Sequence, residues 1–261
     1  MGKDQRVLFG STVFGPIHSR RLGVSLGINL SPNDGKVCSF DCIYCEAGYN
    51  SQGAGTTGLP SLPTVSRDLE KKLNEMKREG QPLDVITFSG NGEPTLHPEF
   101  PAVIDEVIRL RDLYYPDARI SVLSNSTRIF DPATARALLK VDNNILKLDS
   151  AVEATMRLID RPNDPEFTVD RLIEGLKAFE GQAIIQTMLL RGEHDGQPVD
   201  NTTPEEIDAL IDAYRRIKPR EVMLYSIDRP TPEKKLVKVD SDELRRIATY
   251  MEKAGIPIKS D

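Results

Sequence analysis

Six short apolar runs, each followed by an amphipathic stretch, set the limits on how this chain folds. The runs fall at 23–30, 84–89, 119–124, 144–148, 183–190 and 221–227. Each is rich in Val, Ile, Leu or Met and bounded by turn residues, the pattern of strands buried on both faces of a parallel sheet. The intervening stretches predict helices at 66–79, 98–113, 132–139, 153–159, 169–179, 204–217 and 241–253. Several carry start signals. Thr203-Pro204-Glu205-Glu206 sets a cap, a first-turn proline and two acids in order, and Asp131-Pro132 does the same on a smaller scale. Asp240 or Ser241 caps the last helix, which Gly255 and Pro257 end. Six βα units imply an α/β fold with parallel strands joined by crossovers, either an open sheet or a partial barrel, because closure takes eight units. Function is then expected at the C-terminal ends of the strands. No linker divides the chain, so residues 1–261 are expected to form a single domain. The glycine-rich stretch 48–58 reads as a mobile loop.

All three cysteines of the 261 residues, Cys38, Cys42 and Cys45, lie within one eight-residue segment. Scattered core cysteines would not cluster so, and an odd number argues against a disulfide framework. The apolar runs are too short to cross a bilayer, and the N-terminus has no apolar stretch behind its charges, so a cytoplasmic protein with no membrane partner is expected. A formal net charge of −6 does not support a broad nucleic-acid-binding surface, although it is compatible with a local basic patch.

Thiolates are soft ligands that suit iron–sulfur clusters and zinc. Three on one short loop can hold three irons of a cubane and leave the fourth open to another molecule. Zinc is the competing reading, and it would need a fourth ligand from His18, His97, His194 or an acid such as Asp41. A second constellation follows the second apolar run: Gly90-Asn91-Gly92-Glu93-Pro94. Its glycines let the backbone approach a ligand closely, and Glu93 can accept from an ammonium group. Read alone, it is equally a glycine turn that opens a helix. Asp160-Arg161-Pro162 and Asp228-Arg229-Pro230 repeat one tripeptide, the first read as turn chemistry and the second as close enough to the strand-end rim to bind an anion. Arg20 and Arg21 are candidates for a carboxylate or phosphate, and His18 reads as structural.

The C-x3-C-x2-C spacing, with Tyr44 before the last cysteine, resembles the signature of the radical S-adenosylmethionine (radical SAM) superfamily. The turn at 90–94 is similar to that superfamily's GGE motif, with Asn91 in place of a glycine. The run from Gly15 to Gly27, the cysteine segment and Ser89–Phe100 together resemble a group of radical SAM proteins related to wyosine-type tRNA-modifying enzymes, although this sequence has no cysteine left for the second cluster those enzymes carry. The resemblance implies a partial (β/α)6 radical SAM barrel and a single [4Fe–4S] cluster on Cys38, Cys42 and Cys45. It implies that the methionine moiety of S-adenosylmethionine chelates the open iron, and that reductive cleavage of this cofactor yields a 5′-deoxyadenosyl radical that takes hydrogen from a substrate: a small molecule, a tRNA base or a peptide. Tyr44, Gly90, Asn91, Gly92, Glu93, Pro94, Asn125, Ser126, Asp149, Gln186 and Tyr225 are the residues it assigns to cofactor binding. A reductase, flavodoxin or ferredoxin is the implied electron donor. An activating enzyme that makes a glycyl radical on a partner protein and a non-enzymatic metal-binding protein are the alternatives.

Overall fold

A computed structural model describes residues 6–19 and 22–260, so the Arg20-Arg21 pair lies outside the described residues. The strands, in chain order, are β1 (Val13–Ser19), β2 (Gly23–Ile28), β3 (Val85–Phe88), β4 (Arg119–Ser124), β5 (Asn143–Lys147), β6 (Ile184–His194), β7 (Gln197–Asp200), β8 (Glu221–Ser226), β9 (Val237–Lys238) and β10 (Ile258–Ser260). The helices are α1 (Leu62–Arg78), α2 (Phe100–Tyr114), α3 (Pro132–Leu138), α4 (Glu153–Ile159), α5 (Val169–Leu176), α6 (Pro204–Ile217) and α7 (Ser241–Lys253).

The six expected strands are β2, β3, β4, β5, β6 and β8, neighbours in that order and parallel throughout. Antiparallel β1 flanks β2 at one end, and a seventh parallel strand, β10, flanks β8 at the other. The sheet therefore has two ends and does not close, in keeping with the partial barrel that the family resemblance implies. Helices cover its outside. In α1, Val65, Leu69, Leu73 and Met76 are buried at helical spacing, and Ile207, Leu210, Ile211, Tyr214 and Ile217 repeat that stripe in α6.

Inside the barrel the period of two along each strand sorts the side chains into layers. Ile145, Ile184 and Met223, with Leu123 packed on them, form a small apolar plug separate from the main core. Two positions further along each strand or just beyond it come Asn125, Lys147, Gln186 and Tyr225. These four line the cavity above the plug.

Two of the differences from the sequence expectation concern the loop after the cysteines and the end of β6. The stretch 48–58 is pinned: both oxygens of the Asp34 carboxylate are bonded by the amides and hydroxyls of Thr56 and Thr57, and the amide of Lys36 donates to the Gly53 carbonyl at 3.1 Å. Those four donors hold Asp34 well below the usual carboxylate range. Strand β6 also runs past 190, because Leu190 to His194 pair antiparallel with β7 and β9. Among the described residues, no helix is long and apolar enough to cross a membrane.

Candidate active site

The cysteine loop is stitched to the barrel from both sides. On one side Val37 forms an isolated parallel bridge with Gly92; the Val37 amide donates to the Asn91 carbonyl at 3.3 Å, and the Glu93 amide donates to the Val37 carbonyl at 3.0 Å. A Cβ on Gly92 would come within 1.9 Å of that carbonyl oxygen, so the turn requires glycine there. On the other side the amides of Asp41 and Ile43 donate to the carbonyls of Asp160 and Ile159, each at 3.0 Å. The two repeated tripeptides flank the loop. Arg161 stands 3.9 Å from Asp41, between the first two cysteines, and Arg229 pairs with Glu46, just after the third, at 2.8 Å.

Cys38, Cys42 and Cys45 line one cavity of about 270 Å³. Of the residues singled out in the sequence, Tyr44, Gly90, Gly92, Glu93, Asn125, Gln186 and Tyr225 line the same cavity. Asn91, Pro94, Ser126 and Asp149 sit behind its wall. Asn91 is fully buried, and its side chain ties Phe9 and the Pro32 carbonyl to the turn. Pro94 opens a short 3-10 helix, while Ser126, in the left-handed region at φ 70°, donates to the Lys147 carbonyl at 3.2 Å. Asp149 accepts from the Met188 amide at 2.8 Å and from the Tyr44 hydroxyl.

Burial governs the chemistry of these groups. It pushes the Cys38 thiol up to about 11, with the nearby Glu93 carboxylate adding to the rise, and it lifts Cys42 further, helped by Asp160. Burial likewise raises Glu93, against bonds that stabilise its charge: from the Asn125 amide at 2.6 Å, the Thr95 amide at 3.0 Å and the Ser124 hydroxyl at 2.9 Å. Lys147, which is not among the residues assigned to cofactor binding, enters the cavity 2.9 Å from Asp149 and also contacts the Tyr44 hydroxyl. Burial opposes its charge, but Asp149 overcomes that and holds its pKa well above the ordinary lysine value. Its signal was parity, since it lies two residues beyond the plug residue Ile145. Asp160, raised well above the ordinary carboxylate value by burial and by Asp149 beside it, accepts from the Cys42 thiol at 3.5 Å.

The donor set offered by the cysteine loop is three thiols, the soft donors that suit an iron–sulfur cluster. Among the described residues, no three His, Cys, Asp or Glu side chains converge on a point that could hold one metal ion. A mononuclear zinc site needs that convergence. A cubane needs each thiolate on a different iron, and Cys38, Cys42 and Cys45 all line the one cavity.

The sequence matches the family model described as the radical SAM superfamily over residues 33–201. Among curated proteins, the chain is 32% identical over 254 residues to one named GTPase Obg from Brachyspira hyodysenteriae, covering 96% of this chain and 35% of that one. It is 29% identical over 244 residues to a UPF0026 protein of Helicobacter pylori, covering 92% of this chain and 73% of that one. The chain thus spans about a third of the first relative's length. Among solved structures, a radical SAM methyltransferase from Sphaerobacter thermophilus shares the fold with a TM-score of 0.69 at 17% identity, over 91% of this chain and 65% of that one. With the family match extending over more than half of its length, the chain belongs to the radical SAM superfamily of enzymes, whose cofactors are a [4Fe–4S] cluster and S-adenosylmethionine.

Proposed function

We propose that this enzyme holds one [4Fe–4S] cluster on Cys38, Cys42 and Cys45 and cleaves S-adenosylmethionine reductively in the cavity those cysteines line. The observation that carries the reading is the convergence of the three cysteines, the 90–93 turn and the strand-end residues Asn125, Gln186 and Tyr225 on one cavity. When bound, the cluster and S-adenosylmethionine supply one-electron cleavage of the sulfonium C–S bond and a 5′-deoxyadenosyl radical that takes a hydrogen atom from the substrate.

The residues of the chain orient and enclose. Glu93 has one oxygen, Oε1, occupied by Thr95 and Ser124, while Oε2 receives the Asn125 amide and keeps a lone pair for the ammonium of the methionine moiety. Gly90 and Gly92 let the backbone come close to that moiety. Tyr44 is fixed by Asp149 and Lys147, so its ring is a rigid part of the wall. The half-buried Gln186 and Tyr225 present polar groups to the nucleoside end. The three cysteines of this sequence supply thiolates for one such cluster.

Anaerobic reconstitution with iron and sulfide tests this. About four irons per chain, a broad visible absorbance and 5′-deoxyadenosine formed from S-adenosylmethionine plus a low-potential one-electron donor are expected. Full cluster loading with no deoxyadenosine would sink the cleavage reading.

A further inference from the structure

Lys36 lies two residues before the first cysteine, and its side chain is 1% exposed. Lysines are almost never enclosed to that degree unless paired. Its ammonium donates to the Gly48 carbonyl at 2.7 Å and stands 3.4 Å from Asp41 Oδ1. Asp41 is a divided partner: Oδ1 also accepts from the Asn50 amide at 2.6 Å, and the Arg161 guanidinium stands 3.9 Å from Oδ2. Two cations thus share one carboxylate at the base of the cysteine loop. The Gly48 amide in turn donates to the Cys45 carbonyl at 2.9 Å, and Asp41 lies between Cys38 and Cys42, so the ammonium is held inside the loop that carries all three sulfurs.

We propose that Lys36 is a fixed buried cation that stabilises the reduced form of the cluster and so raises the cluster's reduction potential. This rests on the reading that the three cysteines hold that cluster. Three thiolates give the loop a negative charge, and reduction adds one more electron, delivered by an external one-electron donor. A positive charge held close by in a medium of low dielectric favours the more negative state, and net charge near a cluster is among the factors that set its potential. The Gly48 carbonyl offers a second reason for Lys36, as a pin for the loop after the cysteines. A pin alone leaves the potential unchanged.

The test is a potentiometric titration of the reconstituted protein followed by electron paramagnetic resonance, with iron and sulfide content measured on the same samples. Lys36→Met is expected to retain its cluster and to move the midpoint to more negative potential, so that at one fixed poise the reduced-to-oxidised ratio falls by about tenfold or more. Lys36→Arg should restore the wild-type midpoint. Asp41→Asn removes the opposing charge but keeps an acceptor for the Asn50 amide, and should move the midpoint the other way. A fully loaded Lys36→Met protein with the wild-type midpoint would overturn the proposal. Where Lys36→Met takes up no cluster, an Asp41→Asn midpoint that is unchanged or more negative overturns it instead, and a more positive one supports it. Failure of the wild-type chain to bind iron and sulfide would overturn the cluster reading itself, and is seen before any variant is compared.

Discussion

Val37 and Gly92 stand side by side in an isolated parallel bridge, and through it the lead-in to the cysteines rests directly on the glycine turn. A methyl group on Gly92 would meet the Val37 carbonyl oxygen at 1.9 Å and its carbon at 2.7 Å. Those are backbone atoms, so a side-chain rotation cannot relieve the clash. Gly92→Ala should therefore cost about 1–3 kcal/mol through overpacking, a fall in melting temperature of several degrees, and should lower the iron bound on reconstitution. A thermal melt with iron analysis checks both, and normal values for each would show that the loop and the turn move independently.

Glu206 gives a pH signature remote from the cysteines. Burial raises its pKa, opposed by the hydroxyls of Ser150 and Thr155; the Ser150 hydroxyl donates to Oε2 at 2.6 Å. For a carboxyl raised in the folded state, the stabilising contribution is fully present below the unfolded value of about 4.5 and is lost as pH rises through the higher folded value. Glu206→Gln does not ionise, and hydroxyl partners can accept from an amide as readily as donate. The melting temperature of the variant minus that of the wild type should therefore grow as pH rises from roughly 4 to 7.5. A difference that is flat across that range, followed by circular dichroism, would show that Glu206 does not carry this penalty.

Cys42 is 8% exposed and packs into the core beside Asp160. Cys42→Ala removes one small side-chain atom from that site, so the fold should persist with a modest loss of stability of about 1 kcal/mol. Visible cluster absorbance and deoxyadenosine formation should both fall to background. Retained turnover would contradict the assignment of this thiol as a ligand.

The strands were legible because parallel strands buried on both faces announce themselves as unbroken apolar runs. The end of β6 was not, since Arg191, Glu193 and His194 are polar and pair with the hairpin partner β7 and, at Arg191, with the short β9. Its turn, Asp195-Gly196, with φ 49° and 79°, is a hairpin signal in its own right and marks where the strand should have been extended. Helix α1 begins at Leu62 rather than 66 because Ser61 caps it and Pro63 sits in its first turn. The cysteines and the 90–94 turn could be read because each is contiguous in sequence. Asn91 and Asp149 differ: which way their side chains point depends on Phe9, Pro32 and Met188, partners from distant segments that spacing does not reveal. Lys36 was hidden for the same reason, since its burial depends on the fold of the loop around Gly48 and Gly53.

Glu93 offers the sharpest separation between cluster and cofactor. Its Oε1 receives the Thr95 amide at 3.0 Å and its Oε2 the Asn125 amide at 2.6 Å. Both donors are backbone groups that cannot reverse. In Glu93→Gln, either placement of the carboxamide therefore sets an N–H against an N–H in a buried site, at a cost of about 1–3 kcal/mol. The variant also removes the negative charge proposed to receive the methionine ammonium, so affinity for S-adenosylmethionine should fall by about tenfold or more. None of the three cysteines is altered, so iron content and visible absorbance should match the wild type. Titration of S-adenosylmethionine into the reconstituted protein, followed by the change in the reduced cluster's paramagnetic resonance, reads the affinity directly. Wild-type affinity in a fully loaded Glu93→Gln protein would remove Glu93 from the site and leave the glycines of the turn as its contribution.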